Sequence, residues 1–115
     1  MLNRFKYAYQ GCCTLLKKDH NFLYHLIMAV LILIFGWAFS LNVLEWLFII
    51  SAIFLVIITE AINTAIEYAV DLTTEDYHIN AKHAKDIAAF SVFLASFFAF
   101  IVGCIIFIPK LVSLF

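Results

Sequence analysis

Three carboxylates and an amide share one face of an apolar helix. Glu60, Asn63, Glu67 and Asp71 follow one another at intervals of three and four residues, directly after an apolar run. On a helix this spacing stacks them on a single face, which we call the acidic stripe. Acidic groups at the edge of a membrane-length segment are costly unless they face a cation, a partner or water. The stripe therefore predicts a cation site, although a solvated extension of a membrane helix would carry the same residues.

Phosphoryl transfer is the chemistry that these residue types favour. The reaction needs Mg²⁺ on the phosphate oxygens, a cation for the remaining charge and a group that accepts the proton of the attacking hydroxyl. Glu67 and Asp19 are candidate metal ligands, with Asp71 as a further candidate, and Lys85 is a candidate phosphate ligand. Glu60 lies at the membrane edge, where a base can reach the head-group hydroxyl of a lipid. The sequence thus predicts phosphoryl transfer to a membrane alcohol.

Several of these polar residues also have a purely structural interpretation. Lys85 and Asp86 stand where a helix would enter the membrane, and Lys82 with Asp86 forms an ordinary i,i+4 pair. No third ligand accompanies His78 and His83 at a metal-site spacing. We interpret the histidines as solvated in a loop (His78 and His83) or as interfacial (His20 and His25).

The composition places most of the chain in lipid. Of 115 residues, 66% are hydrophobic and 13% are charged, and the net charge is −1. A soluble domain of this size could not bury so much apolar surface. The chain lacks a long basic run, which argues against nucleic-acid binding. It also lacks the glycine-rich phosphate loops, so a nucleotide would be bound without them.

Four helices are expected to position the candidate residues. An amphipathic helix on the membrane surface precedes a polar hinge at 17–21, and three apolar segments are long enough to span a bilayer. Asn80 is expected to cap the last helix and Pro109 to end it. The predicted fold is all-α and integral to the membrane, one domain over residues 1–115, with a surface helix at about 2–18 and spans at about 22–41, 44–71 and 82–108.

The positive charges predict the orientation. Six of the seven lie in the N-terminal segment or in the connection between the second and third spans: Arg4, Lys6, Lys17, Lys18, Lys82 and Lys85. Positively charged loops face the cytosol. The N-terminus, the polar connection at 72–84 and the acidic stripe are therefore expected on the side where ATP is found.

The order of these residues resembles a known family. Glu60-x-x-Asn63-Thr64-x-x-Glu67-x-x-x-Asp71, followed by Ala84-Lys85-Asp86, resembles the signature of the prokaryotic diacylglycerol kinases, and the resemblance covers nearly the whole chain. It implies a small bacterial plasma-membrane kinase with a surface helix and three spanning helices. It also implies a homotrimer whose sites are shared between subunits, and Mg²⁺ with ATP as co-substrate.

The resemblance also implies a role for each candidate. Glu60 is the catalytic base and Glu67 a metal ligand. The implied nucleotide-binding residues are Asn63, Asp71, Lys85, Asp86 and Tyr7, the last near the adenine. Asp19 occupies the place of a glutamate that helps Glu67 to hold the metal. Because Asp19 is one methylene shorter, it would need a bridging water or a small shift of the surface helix.

The reaction motif is common to two branches of this family, so substrate choice depends on other residues. Asn21-Phe22 with His25, and the ending Ile108-Pro109-Lys110-Leu111, resemble the Gram-positive branch, which is similar to undecaprenol kinases. Undecaprenol giving undecaprenyl phosphate is thus the predicted reaction, with diacylglycerol giving phosphatidic acid as the alternative. Two other classes stay open: a small ion or proton carrier with a path along the stripe, and a non-catalytic membrane subunit whose acids pair with a partner's lysines.

Overall fold

The chain folds into four helices, and its described part contains no strand. The structure is a computed structural model that describes residues 2–73 and 76–115; Glu75 of the polar connection lies outside them. The helices are α1 (Leu2–Lys18), α2 (His20–Ala38), α3 (Val43–Thr73) and α4 (Ile79–Val112). The last three are long and apolar enough to cross a membrane. The predicted all-α membrane architecture is therefore confirmed.

A single residue, Asp19, separates α1 from α2. Its backbone is extended, and its Oδ1 accepts a hydrogen bond of 3.0 Å from the backbone N–H of Asn21. An aspartate in this conformation caps the start of a helix by satisfying an otherwise free N–H. The predicted polar hinge is thus a one-residue break, and α2 begins at His20 rather than near residue 22.

The turn between α2 and α3 has both of its helix ends capped. After Ala38, Leu41 N–H donates to Gly36 O and Ser40 N–H donates to Trp37 O, both at 3.2 Å, and Ser40 has φ of 54°. This is a Schellman motif with serine at the left-handed position that glycine usually fills. On the other side, Asn42 and Glu45 form a reciprocal capping box that starts α3.

The end of the bundle at this turn, which we call the turn end, is held by packing and by one ion pair. A small core forms where α3 and α4 meet the turn: Leu41, Ile49, Ala52, Val102 and Ile106. Lys110 Nζ lies 3.2 Å from Glu45 Oε1 and joins the end of α4 to the start of α3. The opposite end, which holds Asp19, Glu60 and Asp71, is called the acidic end below.

Two expectations about α4 are wrong. His78, not Asn80, caps the helix: its Nδ1 accepts from Asn80 N–H at 3.1 Å. Pro109 does not end α4, which continues to Val112 with Ser113 N–H bonded to Pro109 O. A proline removes its own N–H, but the following residues can still donate to carbonyls one turn earlier. With α3 reaching Thr73, the connection is also shorter than the expected 72–84.

Candidate active site

Burial divides the acidic stripe into an inner and an outer part. Glu60, Asn63 and Thr64 are 3%, 8% and 9% exposed and are the buried polar residues of the described chain, whereas Glu67 and Asp71 are exposed. A solvated helical extension would expose all of them. The burial of Glu60 beside apolar helices therefore points to an interaction inside the bundle, because a buried carboxyl is costly unless it is paired.

Asp19 and Thr64 connect the start of α2 to the stripe. Thr64 Oγ1 donates to Asp19 Oδ2 at 2.6 Å, and Glu60 is a further hydrogen-bonding partner of the Asp19 side chain. Burial works to raise the pKa of Asp19, but bonds from Thr64, Glu60 and two backbone N–H groups outweigh it and hold the pKa below its usual range. Two carboxyl groups in such contact need a proton or a cation between them.

Asn63 leaves one oxygen without a partner. Its Nδ2 donates to Glu67 Oε1 over 3.4 Å, while its Oδ1 is buried and accepts no hydrogen bond from any described residue. A buried amide oxygen next to carboxylates is a ligand set for a hard cation. No group of three or more histidine, cysteine, aspartate or glutamate side chains in the described ranges could hold a metal. This sparse oxygen set suits Mg²⁺, which often takes only one or two protein carboxylates beside phosphates and waters.

The outer part of the site lies between α3 and α4. Lys85 Nζ bonds Asp71 Oδ1 at 2.6 Å, and Lys82 Nζ bonds Asp86 Oδ2 at 2.6 Å. These pairs line an open pocket of about 290 Å³ together with Tyr77 and His78, among others. Each ammonium has three donors, so Lys85 can hold Asp71 and still bind a phosphate oxygen.

The structure adds two residues to which the sequence analysis gave no role. Thr64 stands one turn after Glu60, a spacing that places both on one face. His25, interpreted above as interfacial, lies with Nε2 3.7 Å from Glu60 Oε2. It follows the buried Phe22 by three residues and precedes the buried Ala29 by four, which is the inward face of α2. Because α2 is apolar all round, the sequence did not reveal that face.

Tyr7 is the candidate that stays apart. It lies on α1, which packs against α2, and it is 65% exposed. It joins none of the hydrogen bonds or ion pairs described above. Within one chain, the other candidates form two groups along α3. The inner group contains Asp19, Glu60, Asn63 and Glu67. The outer group, nearer the end of α3, contains Asp71, Lys85 and Asp86.

Comparison with known proteins identifies the family of this chain. The family described as prokaryotic diacylglycerol kinase matches residues 6–107. Undecaprenol kinase of Bacillus subtilis is 39% identical over 96% of this chain and 93% of that protein. Diacylglycerol kinases of Synechocystis and Helicobacter pylori strain J99 are 36% and 33% identical, over 99% and 84% of this chain and 66% and 77% of those proteins. The chain therefore belongs to the prokaryotic diacylglycerol kinase family and is a membrane-embedded kinase.

Proposed function

We propose that this kinase transfers the γ-phosphate of Mg-ATP to the hydroxyl of a membrane alcohol, with undecaprenol as the acceptor. The observation that carries the proposal is the burial of Glu60 among apolar helices, within reach of Asp19 and next to a face rich in oxygen ligands. A carboxylate in this position can accept a proton from a hydroxyl that arrives through the lipid.

The residues divide into three tasks. Glu60 orients the acceptor hydroxyl and takes its proton. Glu67 and Asp19 would hold Mg²⁺, and the unpaired Oδ1 of Asn63 is the oxygen best suited to help them. The ion would supply positive charge to offset that of the phosphates.

The nucleotide is assigned to the outer part of the site. Lys85, held by Asp71, binds phosphate oxygens, and Asp86 keeps Lys82 at the rim of the same pocket. Asn63 connects this pocket to the metal ligands through Glu67. Tyr7 is proposed to contact the adenine, which requires α1 to bring its exposed ring to the nucleotide.

The choice of acceptor rests on the relatives. The B. subtilis protein, which this chain matches over nearly its whole length, is named an undecaprenol kinase. Diacylglycerol remains the alternative acceptor, because other relatives are named diacylglycerol kinases.

The setting is part of the same proposal. Six of the seven Lys and Arg residues lie in α1, which leads to Asp19, or in the first turns of α4, so we assign the acidic end to the cytosolic face of a bacterial plasma membrane. A homotrimer with sites shared between subunits is proposed from the family. The ion-carrier alternative has less support, because Asn42 and Glu45, polar residues at the turn end, are used in a capping box.

The test is transfer of labelled γ-phosphate by purified protein in mixed micelles, with undecaprenol and diacylglycerol offered in parallel. Glu60→Gln is the matched variant, because it keeps the shape and removes the base. We expect labelled undecaprenyl phosphate from the wild type, and at least a hundredfold lower turnover from Glu60→Gln with ATP binding retained, since general bases contribute about 10²–10⁴-fold. Preferential labelling of diacylglycerol would change the substrate. A folded protein that labels neither lipid would refute the kinase assignment.

A further inference from the structure

The basic residues of the chain form two groups that differ in their partners. Outside α1, every lysine is paired with a carboxylate: Lys82 with Asp86, Lys85 with Asp71 and Lys110 with Glu45. The four basic residues of α1 are exposed, and none of them forms an ion pair with a described residue: Arg4, Lys6, Lys17 and Lys18. Since α1 contains none of the eight acidic residues of the chain, its positive charge is uncompensated.

The apolar face of α1 also lacks a partner in the described chain. It is formed by four exposed side chains at helical spacing: Leu2, Phe5, Tyr9 and Leu16. At about 100° per residue, Lys6 and Lys17 lie on one side of this face and Arg4 lies on the other. Long basic side chains can lie along apolar surface while their charged ends reach water or phosphate. An apolar face flanked by cations is typical of a helix that lies in a membrane interface.

Asp19 connects α1 to the candidate active site. Its backbone N–H donates to Leu15 O of α1 at 2.9 Å, while its side chain caps α2 and accepts the hydrogen bond from Thr64. Two of the unpaired cations, Lys17 and Lys18, directly precede it in the chain. The orientation of α1 therefore affects the position of the Asp19 carboxylate in the site.

We propose that α1 binds the anionic head groups of the bilayer through its four basic residues, and that this contact holds Asp19 in place, so that phosphoryl transfer depends on anionic lipid. The second step rests on the proposed kinase function. The argument for the occupant is complementarity: an anionic bilayer offers negative partners for the unpaired cations and a hydrocarbon layer for the apolar face. A second copy of the chain is the competing occupant.

The number of cations sets the expected size of the effect. One Lys or Arg near an anionic membrane surface favours binding by about fivefold, so removal of two should weaken the contact of α1 by about 25-fold. Salt should weaken it as well, because the screening length falls from about 10 Å at 0.1 M to about 3 Å at 1 M. A helix that is held by protein contacts alone should respond to neither lipid charge nor salt in this way.

The test of the contact is amide hydrogen exchange of α1 in the full-length protein, because exchange reports how often a segment opens. Vesicles of phosphatidylcholine are compared with an equal mixture of phosphatidylcholine and phosphatidylglycerol. Exchange in α1 of the wild type should be about tenfold slower or more in the mixture at low salt, and the difference should be lost at about 1 M salt.

Variants separate charge from other effects. Lys17→Gln/Lys18→Gln should lose most of the dependence of α1 exchange on phosphatidylglycerol, and Lys17→Arg/Lys18→Arg, which keeps the charge, should retain it. Lys110→Gln is the control, because it removes a lysine at the turn end and should leave the exchange of α1 unchanged. Exchange in wild-type α1 that is independent of lipid charge would overturn the proposal. Exchange that slows only as the protein-to-lipid ratio rises would assign α1 to a second copy and overturn it too.

Undecaprenol phosphorylation in the same vesicles tests the link to the site. Turnover by the wild type should be several-fold faster in the mixture, and Lys17→Gln/Lys18→Gln should remove that advantage. Lipid-dependent exchange with lipid-independent turnover would overturn the link between α1 and Asp19. A wild type that is inactive in both vesicles would refute the kinase function, whereas the exchange data would still decide whether α1 binds anionic lipid.

Discussion

Thr64→Val tests whether the Thr64 hydroxyl positions Asp19, because it should leave the other interactions of α3 unchanged. Valine has nearly the shape of threonine, so the substitution removes the 2.6 Å hydrogen bond to Asp19 Oδ2 and little else. A hydrogen bond to a charged group contributes about 1.5–3 kcal/mol. Asp19 is partly exposed and can recruit water, so we expect the free energy of unfolding to fall by about 1–2 kcal/mol at neutral pH.

The control is another threonine of the same helix. Among the described residues, Thr59 Oγ1 donates to two carbonyls of its own helix, those of Leu55 and Val56. Thr59→Val therefore removes a hydroxyl without touching Asp19. We expect the free energy of unfolding to fall by less than about 0.5 kcal/mol. Threonine and valine have similar helix propensities, and a hydroxyl that bonds to its own helix adds little stability.

The pH dependence gives a second readout. Because the pKa of Asp19 is lower in the folded chain than in the unfolded chain, its interactions stabilise the protein above the unfolded pKa of about 3.9. That contribution is lost as the pH falls through the folded pKa. The difference in stability between Thr64→Val and the wild type should thus be complete at pH 7 and shrink below about pH 4.

Reversible unfolding of the purified protein in detergent micelles, followed by circular dichroism, measures both quantities. The Mg²⁺ concentration for half-maximal activity should rise several-fold in Thr64→Val, because Asp19 is then less well oriented. A stability equal to that of Thr59→Val at every pH would refute the reasoning, since it would mean that the Thr64 bond does not hold Asp19.

Three further predictions concern helix packing, the turn at Ser40 and the ion pair of Lys85. A Cβ at Gly36 would lie 2.7 Å from the Trp46 ring, so Gly36→Ala should lower the free energy of unfolding in micelles by about 1–3 kcal/mol. An unchanged unfolding midpoint would mean that the ring is free to move. Ser40→Gly should raise it by about 0.5–1 kcal/mol in the same assay, because φ of 54° suits glycine; a loss would contradict the Schellman turn. Asp71→Asn should weaken ATP binding several-fold by releasing Lys85, with a small effect on stability because the pair is exposed; titration calorimetry with ATP checks this, and unchanged affinity would remove Asp71 from the site.

The sequence was sufficient for the fold because apolar runs of membrane length leave few alternatives. It also placed Glu60 and Asn63 on one face, and the structure buries both side chains. It was insufficient for His25, since an apolar helix in lipid has no periodic polar face from which its inward side can be read. Helix ends were the other weak point: the choice between His78 and Asn80 as cap depends on backbone geometry, which residue preferences describe only on average.

The junction between α1 and α2 is a single residue, Asp19, and this restricts which changes in chain length can be tolerated there. The Asp19 carboxylate caps the start of α2 and accepts a hydrogen bond from the hydroxyl of Thr64. It therefore fixes both the angle between α1 and α2 and the position of Asp19 in the site. One inserted residue would rotate α1 by about 100° and move it by about 1.5 Å relative to α2, if the added residue were helical. The junction thus fixes the distance between the surface helix and the reacting groups. Insertions or deletions between Lys18 and His20 should therefore reduce activity more than those in the longer loops.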